Sequence, residues 1–138
     1  MIEITLAGEP IGKGRPRFVR ATGRTYTPEQ TASFENKLAW AAQTAMKGRA
    51  LLVDAVILSV TAFRSVPPSW SAKKRKAAID QLLRPTGKPD ADNVLKLVAD
   101  ALNKVVWADD SQIVEAHVYK KYSEQPRLEI TILGLDEQ

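Results

Sequence analysis

The chain has 138 residues, a formal net charge of +4 and no cysteine. This length suits one domain with a single hydrophobic core, and an apolar content of 44% with 26% charged residues is typical of a globular protein. The lack of cysteine excludes disulfides, thiolate zinc sites and cysteine nucleophiles. No apolar run reaches membrane-spanning length and no signal peptide is evident, so a cytoplasmic protein is expected.

The first half of the chain predicts a strand, an arm, a helix and a second strand. Residues 2–7 alternate between apolar and polar side chains, and the Gly-, Pro- and Arg-rich stretch after them predicts a loop or extended arm. Thr27, Pro28 and Gln30 are typical of a helix start, with Thr27 as the cap and Pro28 at the first helical position. Residues 51–63 are apolar on both faces, which predicts a central strand covered on both sides.

A second helix is expected after this strand. Ser69 or Ser71 can cap it, and it reaches about Leu83 with Ile79, Leu82 and Leu83 turned inward. Strands are expected at 113–122 and 128–133, beyond a third helix. The predicted fold class is α/β of the α+β type, a single domain over residues 1–138. Its small mixed sheet of about four strands is flanked by helices in the order β-α-β-α-α-β-β.

Charge is distributed unevenly along the chain. Residues 64–88 contain seven basic residues against Asp80 alone, whereas residues 89–110 contain five Asp residues against two Lys residues. Basic residues are also frequent in the first 27 positions. An acidic centre between basic stretches is what an enzyme needs in order to hold a phosphate backbone on one surface and metal ions on another.

The acidic centre, KPDADNVLKLVADALNKVVWADD at 88–110, predicts an amphipathic helix between two acidic clusters. Asp92 is a natural cap for this helix, and Asp92, Lys96 and Asp100 line up along one of its faces. If the next strand starts beside the helix start, Asp90, Asp92 and Asp110 converge on one point. Carboxylates grouped in this way suit Mg²⁺, and Lys96 could hold a phosphate beside the ion.

Simpler interpretations of these residues stay open. Asp-x-Asp before a helix is often only a cap, and Asp-Asp before a strand is often a turn, in which case the chain is a DNA-binding module without catalysis. An Asp-based phosphatase is disfavoured because RPTGKP, and not a buried strand, precedes Asp90. Leu95 stands where an EF-hand loop requires glycine. His117, the single histidine, is interpreted as an ordinary strand residue.

The segment KPDADNVLKLVADALNKVVWADDSQIV resembles the signature of the RusA family, the Holliday junction resolvases common in prophages. The likeness rests on Asp-x-Asp-Asn, a lysine four residues after the second Asp, Asp-Ala-Leu further along, and a paired Asp followed by Gln. GKGRPRF and TPEQT also resemble phage-borne members. The resemblance implies a small homodimeric, metal-dependent endonuclease that nicks four-way DNA junctions symmetrically in recombination and repair, in the bacterial cytoplasm.

The resemblance also implies roles for individual residues. The essential carboxylates of the family match Asp90, Asp92 and Asp110, and its essential lysine matches Lys96. The implied cofactor is Mg²⁺, with Mn²⁺ as a substitute. Whether the first or the second member of the Asp pair is the ligand stays open. Three further matching positions are expected to support the site: Asn93, Asp100 and Asp109.

Basic residues outside the acidic centre are the expected DNA contacts. The cations of GKGRPRF flank Pro16, so this stretch is either a phosphate-contacting arm or a solvated loop, and KKRK at 73–76 gives the second helix a basic face. The expected DNA-binding residues are Lys13, Arg15, Arg17, Lys73, Lys74, Lys76 and Lys88.

Overall fold

The computed structural model describes residues 1–14, 17–26 and 28–135, with the backbone alone for residues 17–19 and 24–26. The predicted α+β fold is confirmed, and a short hairpin is added within the predicted arm. None of the helices in the described part of the chain has the length and apolarity needed to span a bilayer. The elements are β1 (Ile2–Ala7), β2 (Arg17–Val19), β3 (Arg24–Tyr26), α1 (Glu29–Met46), β4 (Val56–Ser65), α2 (Ala72–Ile79), α3 (Ala91–Leu102), β5 (Ile113–Ser123) and β6 (Arg127–Gly134).

Four strands form the main sheet in the order β1-β6-β4-β5. Strand β6 is antiparallel to both β1 and β4, whereas β5 is parallel to β4, so the predicted mixed sheet is confirmed. A parallel neighbour needs a crossover connection, which the segment containing α2 and α3 provides. Strand β5 therefore starts at the same end of the sheet as β4, and it forms one edge of the sheet.

The hydrophobic core lies on one face of this sheet. Val56, Leu58 and Val60 of β4 are fully buried, together with the inner faces of α1 and α3. On the opposite face of β4, Ser59 and Thr61 stay partly exposed. The prediction that this strand is covered on both sides is therefore wrong for the face of Ser59 and Thr61, because α1 and α3 share one core instead of enclosing the sheet from two sides.

Helix α1 begins one residue later than predicted. Pro28 is its N-cap residue and not the first helical residue, while Thr27, the predicted cap, lies outside the described residues. Glu29 places a carboxylate in the first turn, where the positive end of the helix dipole favours it. The helix ends at Met46, and its C-cap residue Lys47 is left-handed with a φ of 52°, immediately before Gly48.

Helix α2 is shorter than predicted. Ser71 caps it by accepting a hydrogen bond from the Lys74 backbone N–H at 3.2 Å, so one of the two predicted caps is confirmed. The helix ends at Ile79, and the chain then turns through Gln81, whose φ is 64°. The predicted inward stripe is wrong, since the helix stops before Leu82, which is 77% exposed.

Helix α3 is strongly amphipathic, with five buried residues: Val94, Leu97, Val98, Ala101 and Leu102. Its N-cap residue is Asp90, whose side chain makes no capping hydrogen bond. Asp92 lies inside the first turn, so the predicted capping by Asp92 is wrong. The acidic pair Asp109 and Asp110, predicted at the entrance of the next strand, lies after this helix. Asp109 caps the 3-10 turn Asp110–Gln112.

Candidate active site

The start of α3 presents the candidate catalytic groups to solvent. Asp90, Asp92 and Lys96 are exposed, and none of them forms a hydrogen bond or ion pair with a side chain that the structure describes. Asp92 and Lys96 stand one turn apart, on the face of α3 that is not filled by the core. Carboxylates without a protein partner keep their oxygen lone pairs available for a cation.

Asp110 lies at the other end of α3, because β5 runs back along the helix. Near the end of β5, the Lys120 ammonium donates to the Gly87 carbonyl at 2.6 Å, just before Asp90. At the start of β5, the Gln112 side chain donates instead to two carbonyls beside the start of β4. The rise of the 12-residue helix alone separates its two ends by about 18 Å.

The predicted convergence of Asp90, Asp92 and Asp110 within one chain is therefore wrong. Among the described residues, no three carboxylate or imidazole side chains lie close enough together to hold a metal ion. The three carboxylates could converge only if β5 started beside the start of α3. The connection after α3 is short, so β5 starts where the helix ends. One chain thus carries two candidate ligands at one end of α3 and the third at the other end.

The structure distinguishes the two members of the acidic pair. Asp109 Oδ2 accepts a hydrogen bond from the Ser111 N–H at 3.0 Å, and the Gln112 side chain accepts from the Asp109 N–H at 2.8 Å. The hydrogen bonds from Ser111 lower the pKa of Asp109. Asp110 is exposed and makes no such contact in the described structure. Asp109 therefore shapes the turn, and Asp110 is the carboxylate free to bind a cation.

The stretch Gly12-Lys13-Gly14 joins α1 to α3. A Cβ on Gly12 would lie 2.8 Å from the Asn93 Cβ, and one on Gly14 would lie 2.7 Å from Thr31 Oγ1. Both positions therefore require glycine for the close approach of the backbone. The Lys13 N–H donates to the Asn93 carbonyl at 2.9 Å, and the Gly14 N–H donates to Thr31 Oγ1 at 3.1 Å. The arm is thus fastened to both helices.

The Lys13 side chain lies between two carboxylates. Its Nζ is 2.5 Å from Glu35 Oε1 and 3.2 Å from Asp100 Oδ2, and the side chain is 18% exposed. Burial by itself would lower the pKa of Lys13, but the hydrogen bonds to Glu35 and Asp100 outweigh burial and raise the pKa above 10.5. Lys13 is thus an internal ion-pair partner, whereas a DNA contact was predicted, and Asp100 supports the fold around the site.

An open cleft of about 910 Å³ lies beside the start of α3. Its walls come from the arm after β1, the end of β4 and the segment that leads into α3. Its charged and amide side chains include Glu9, Arg64, Lys88, Asp90 and Asn93. The cleft therefore places Lys88, one of the predicted DNA contacts, beside a candidate metal ligand.

The basic face predicted on the second helix lies on α2, where Lys73, Lys74 and Lys76 are exposed. Lys74 Nζ is 4.1 Å from the centre of the Trp70 ring, a cation–π contact that leaves the ammonium at the surface. Lys76 forms an exposed ion pair with Asp80 at 2.7 Å. Lys73 and Lys74 are therefore more available to DNA than Lys76.

Two other predicted DNA contacts, Arg15 and Arg17, belong to the arm after β1. Arg15 lies outside the described residues, and Arg17 is described by its backbone alone, in β2. His117 lies in β5, as the interpretation as a strand residue requires, with Nε2 2.9 Å from Glu115 Oε1.

Side chains of the described residues cover the outer edge of β5 along its second half alone. The Arg84 side chain donates to the Lys120 carbonyl at 2.8 Å, and the Gln81 side chain donates to the Tyr122 carbonyl at 3.0 Å. Peptide groups alternate between the two sides of a strand, so Ala116 directs its peptide group to this same edge. No side chain of the described residues covers that peptide group.

Two residues of the site were not predicted, Glu35 and Arg64. The glycines on either side of Lys13 are the sequence signal for Glu35, because they indicate a close approach of the backbone to another element. Arg64 follows an apolar run in β4, and a cation at the end of a core strand is the signal that could have found it.

The sequence of this chain is similar to those of known proteins over the segments that form the candidate site. Residues 7–133 match the sequence profile of the family described as Endodeoxyribonuclease RusA. The chain is also similar to the Uncharacterized protein YqaN of Bacillus subtilis (strain 168). The two are 39% identical over 135 residues, which covers 95% of this chain and 94% of that protein. The matched ranges include α3, the cleft and the acidic turn before β5.

Proposed function

The chain belongs to the RusA family of endodeoxyribonucleases, the Holliday junction resolvases, and from this premise we propose that it cuts four-way DNA junctions by paired symmetric nicks. The proposed role is in DNA recombination and repair, and the proposed cofactor is Mg²⁺. The observation that supports this function most directly is the start of α3. Asp90 and Asp92 there present exposed carboxylates that have no partner among the described residues, and Asp92 stands one turn before Lys96.

The residues at this site suit a hard divalent cation. The chain has no thiolate, and its single imidazole lies on β5, so carboxylate oxygens favour Mg²⁺ or Mn²⁺ over Zn²⁺. When bound, such an ion supplies an activated water and neutralises charge on the phosphodiester. Asp90 and Asp92 would hold the ion, and Lys96 would contact the phosphate oxygen and stabilise the charge that grows there. A 5′-phosphate and a 3′-hydroxyl, which a ligase can reseal, are the expected products.

We propose that a second copy of the chain supplies the third carboxylate. Asp110 is exposed but lies at the far end of α3 from Asp90 and Asp92, so the site is incomplete in one chain. A two-fold dimer that brings opposite ends of the two α3 helices together would give two equivalent sites. Each site would then combine Asp90 and Asp92 of one chain with Asp110 of the partner subunit. Two matched sites suit a junction that has two equivalent strands to cut.

The free half of the β5 edge is the surface proposed for this dimer. Exposed sheet edges pair readily with another strand, and Val114, beside this edge, is 61% exposed. Antiparallel pairing centred on Ala116 uses the uncovered peptide groups and sets Glu115 opposite His117 of the partner subunit. The same register brings the start of β5, which follows Asp110, toward the end of β5 in the partner subunit, and that end lies near the start of α3.

A cleavage assay with a matched substrate tests the proposed function. A synthetic four-way junction and a linear duplex made from the same sequences are incubated with the protein, with Mg²⁺ or with chelator. We expect paired nicks in the junction alone, and only with the divalent ion. Binding of the junction without any cut under either condition would favour the non-catalytic DNA-binding module. Full cleavage after thorough removal of divalent ions would contradict the carboxylate–metal site.

A further inference from the structure

Arg64 places a guanidinium in the wall of the cleft. It lies near the end of β4, is partly buried, and forms no hydrogen bond or ion pair with any group that the structure describes. Its guanidinium lies against the segment before α3, since a Cβ on Gly87 would be 3.7 Å from Arg64 Nη1. A charged group that is partly removed from water normally has its donors satisfied. Arg64 therefore lacks an anion that the cleft has room to accept.

Two of the other charged groups in the lining of the cleft, Glu9 and Lys13, are bound by the protein itself. Glu9 Oε1 accepts a hydrogen bond from the Ser65 N–H at 3.3 Å, which holds this carboxylate to the end of β4. Lys13 forms ion pairs with Glu35 and Asp100, so its ammonium is not available to a ligand in the cleft. Within the described lining, Arg64 and the exposed Lys88 are the cations that remain available.

The cleft lies on one side of the candidate metal ligands. Asp90 and Asn93 line it, whereas Asp92 and Lys96 do not. A DNA strand that crosses the start of α3, with the phosphate to be cut at Asp92 and Lys96, therefore has its next stretch of backbone at the cleft. The planar guanidinium of arginine binds two phosphate oxygens at once, and lysine adds a point charge.

We propose that Arg64, together with Lys88, binds a backbone phosphate of the cut strand adjacent to the phosphate that is cleaved. The choice of DNA as the source of this phosphate rests on the proposed function. The contact positions the strand: Arg64 holds a neighbouring phosphate and does not touch the reacting atoms. Its contribution belongs to junction binding, and it is present without a metal ion.

Neutral phosphate analogues test this contact directly. A series of junctions carries a single methylphosphonate, which removes one phosphate charge, at successive positions around the cut. Binding is measured in chelator, so that no cleavage is needed. For the unaltered protein, one position should weaken binding about tenfold, the scale of losing one charge-assisted hydrogen bond. Arg64→Gln should weaken binding of the normal junction by a similar factor and remove the penalty at that one position.

Lys37→Gln is the matched control, because it removes one positive charge from an exposed position of α1 away from the cleft. This variant should keep the full penalty at the same methylphosphonate position. If Arg64→Gln also keeps that penalty, Arg64 does not bind the phosphate. If Arg64→Gln only lowers the melting temperature and leaves the pattern unchanged, Arg64 has a structural role alone, and the proposal is wrong.

Arg64→Lys keeps the test decisive if Arg64→Gln folds poorly. It retains the charge but cannot bind two phosphate oxygens at once, so the penalty at the contacted position should shrink if the proposal is right and stay full if it is wrong. The result is independent of cleavage. A protein that binds junctions in chelator with the predicted Arg64 pattern but never cuts them would overturn the proposed nuclease function and leave the phosphate site in place.

Discussion

At the scale of single residues, Lys13 connects the arm, α1 and α3 through one ammonium group. Glu35 comes from α1 and Asp100 from α3, and each carboxylate would repel the other without the lysine between them. The backbone of the same residue is hydrogen-bonded to Asn93 beside the cleft. The position of the cleft wall therefore depends on this ion pair.

Lys13→Met should lower the free energy of unfolding by about 2 kcal/mol, the scale of removing hydrogen bonds to charged groups from a mostly buried position. Thermal and denaturant unfolding of the two proteins measure it. Lys76→Met is the control, because its ion pair with Asp80 is exposed and should change the melting temperature little. Equal effects of the two substitutions would contradict the interpretation of Lys13.

The same ion pair predicts how stability changes at alkaline pH. The pKa of Lys13 is raised above 10.5 in the folded chain, so its contribution is fully present below pH 10.5 and is lost as the pH rises through the folded pKa. The difference in unfolding free energy between the unaltered protein and Lys13→Met should therefore be constant from pH 7 to pH 10 and shrink above that range. A difference that shrinks already between pH 7 and 9 would point to another group.

Substitutions of the acidic residues should separate junction binding from junction cleavage. Asp90→Asn, Asp92→Asn and Asp110→Asn should each lower the rate of junction cleavage by several orders of magnitude, because each removes a proposed metal ligand. Junction binding in chelator should stay equal or become tighter, since one negative charge near the phosphate is removed. Asp109→Asn is the control and should retain much more activity. Native cleavage by Asp90→Asn would mean that this residue only starts the helix.

At the scale of elements, α2 and β5 present two different surfaces. Helix α2 offers exposed cations with little hydrophobic surface, which suits the phosphate backbone. Strand β5 offers an uncovered half edge with an exposed apolar residue, which suits another strand. The two surfaces are therefore tested by different measurements. The salt dependence of junction binding tests α2, and dimer formation tests β5.

For α2, the prediction concerns salt. Lys73→Gln with Lys74→Gln should flatten the plot of the logarithm of junction affinity against the logarithm of salt concentration, by about one unit for each phosphate that the variant no longer binds. The measurement is a binding titration over a series of salt concentrations. Lys37→Gln again serves as the control. An unchanged slope in the double variant would mean that α2 does not bind DNA.

For β5, the prediction concerns the dimer. Pairing centred on Ala116 brings the two copies of this residue together at the two-fold axis, so Ala116→Glu or Ala116→Lys alone should give monomers by like-charge repulsion. Mixing the two variants should restore dimers, which analytical ultracentrifugation can measure. Thr5→Glu, on the opposite edge strand β1, is the control. Loss of the dimer in Thr5→Glu but not in the Ala116 variants would place the interface at β1.

At the scale of the whole molecule, the separation of Asp110 from Asp90 and Asp92 predicts complementation between subunits. Dimers of Asp90→Asn alone and of Asp110→Asn alone should both be inactive, whether or not the sites are shared. A mixed dimer has one site with both substitutions and one intact site, so mixing the variants should restore single nicks in the junction. Sites built within single chains would remain inactive after mixing, and a gel that resolves nicked strands separates the two results.

The sequence by itself determined the local features of this protein. Periodicity and charge predicted α3, the strands at both ends of the chain and the acidic residues around the helix, because these depend on neighbours in the sequence. The α+β class followed from the order of the elements, and the exposed carboxylates followed from their place opposite the buried stripe. The family resemblance rests on the same local segment and is confirmed.

Only the tertiary structure decided which distant residues meet. Whether β5 starts beside the beginning or the end of α3 depends on strand order and crossover direction, and hydrophobic periodicity does not determine either. Because β5 starts beside the end of α3, Asp110 lies far from Asp90. The pairing of Lys13 with Glu35 and the position of Arg64 in the cleft likewise join segments far apart in sequence. Such contacts follow from how the elements pack around one core, because burial and close approach are properties of the assembled chain.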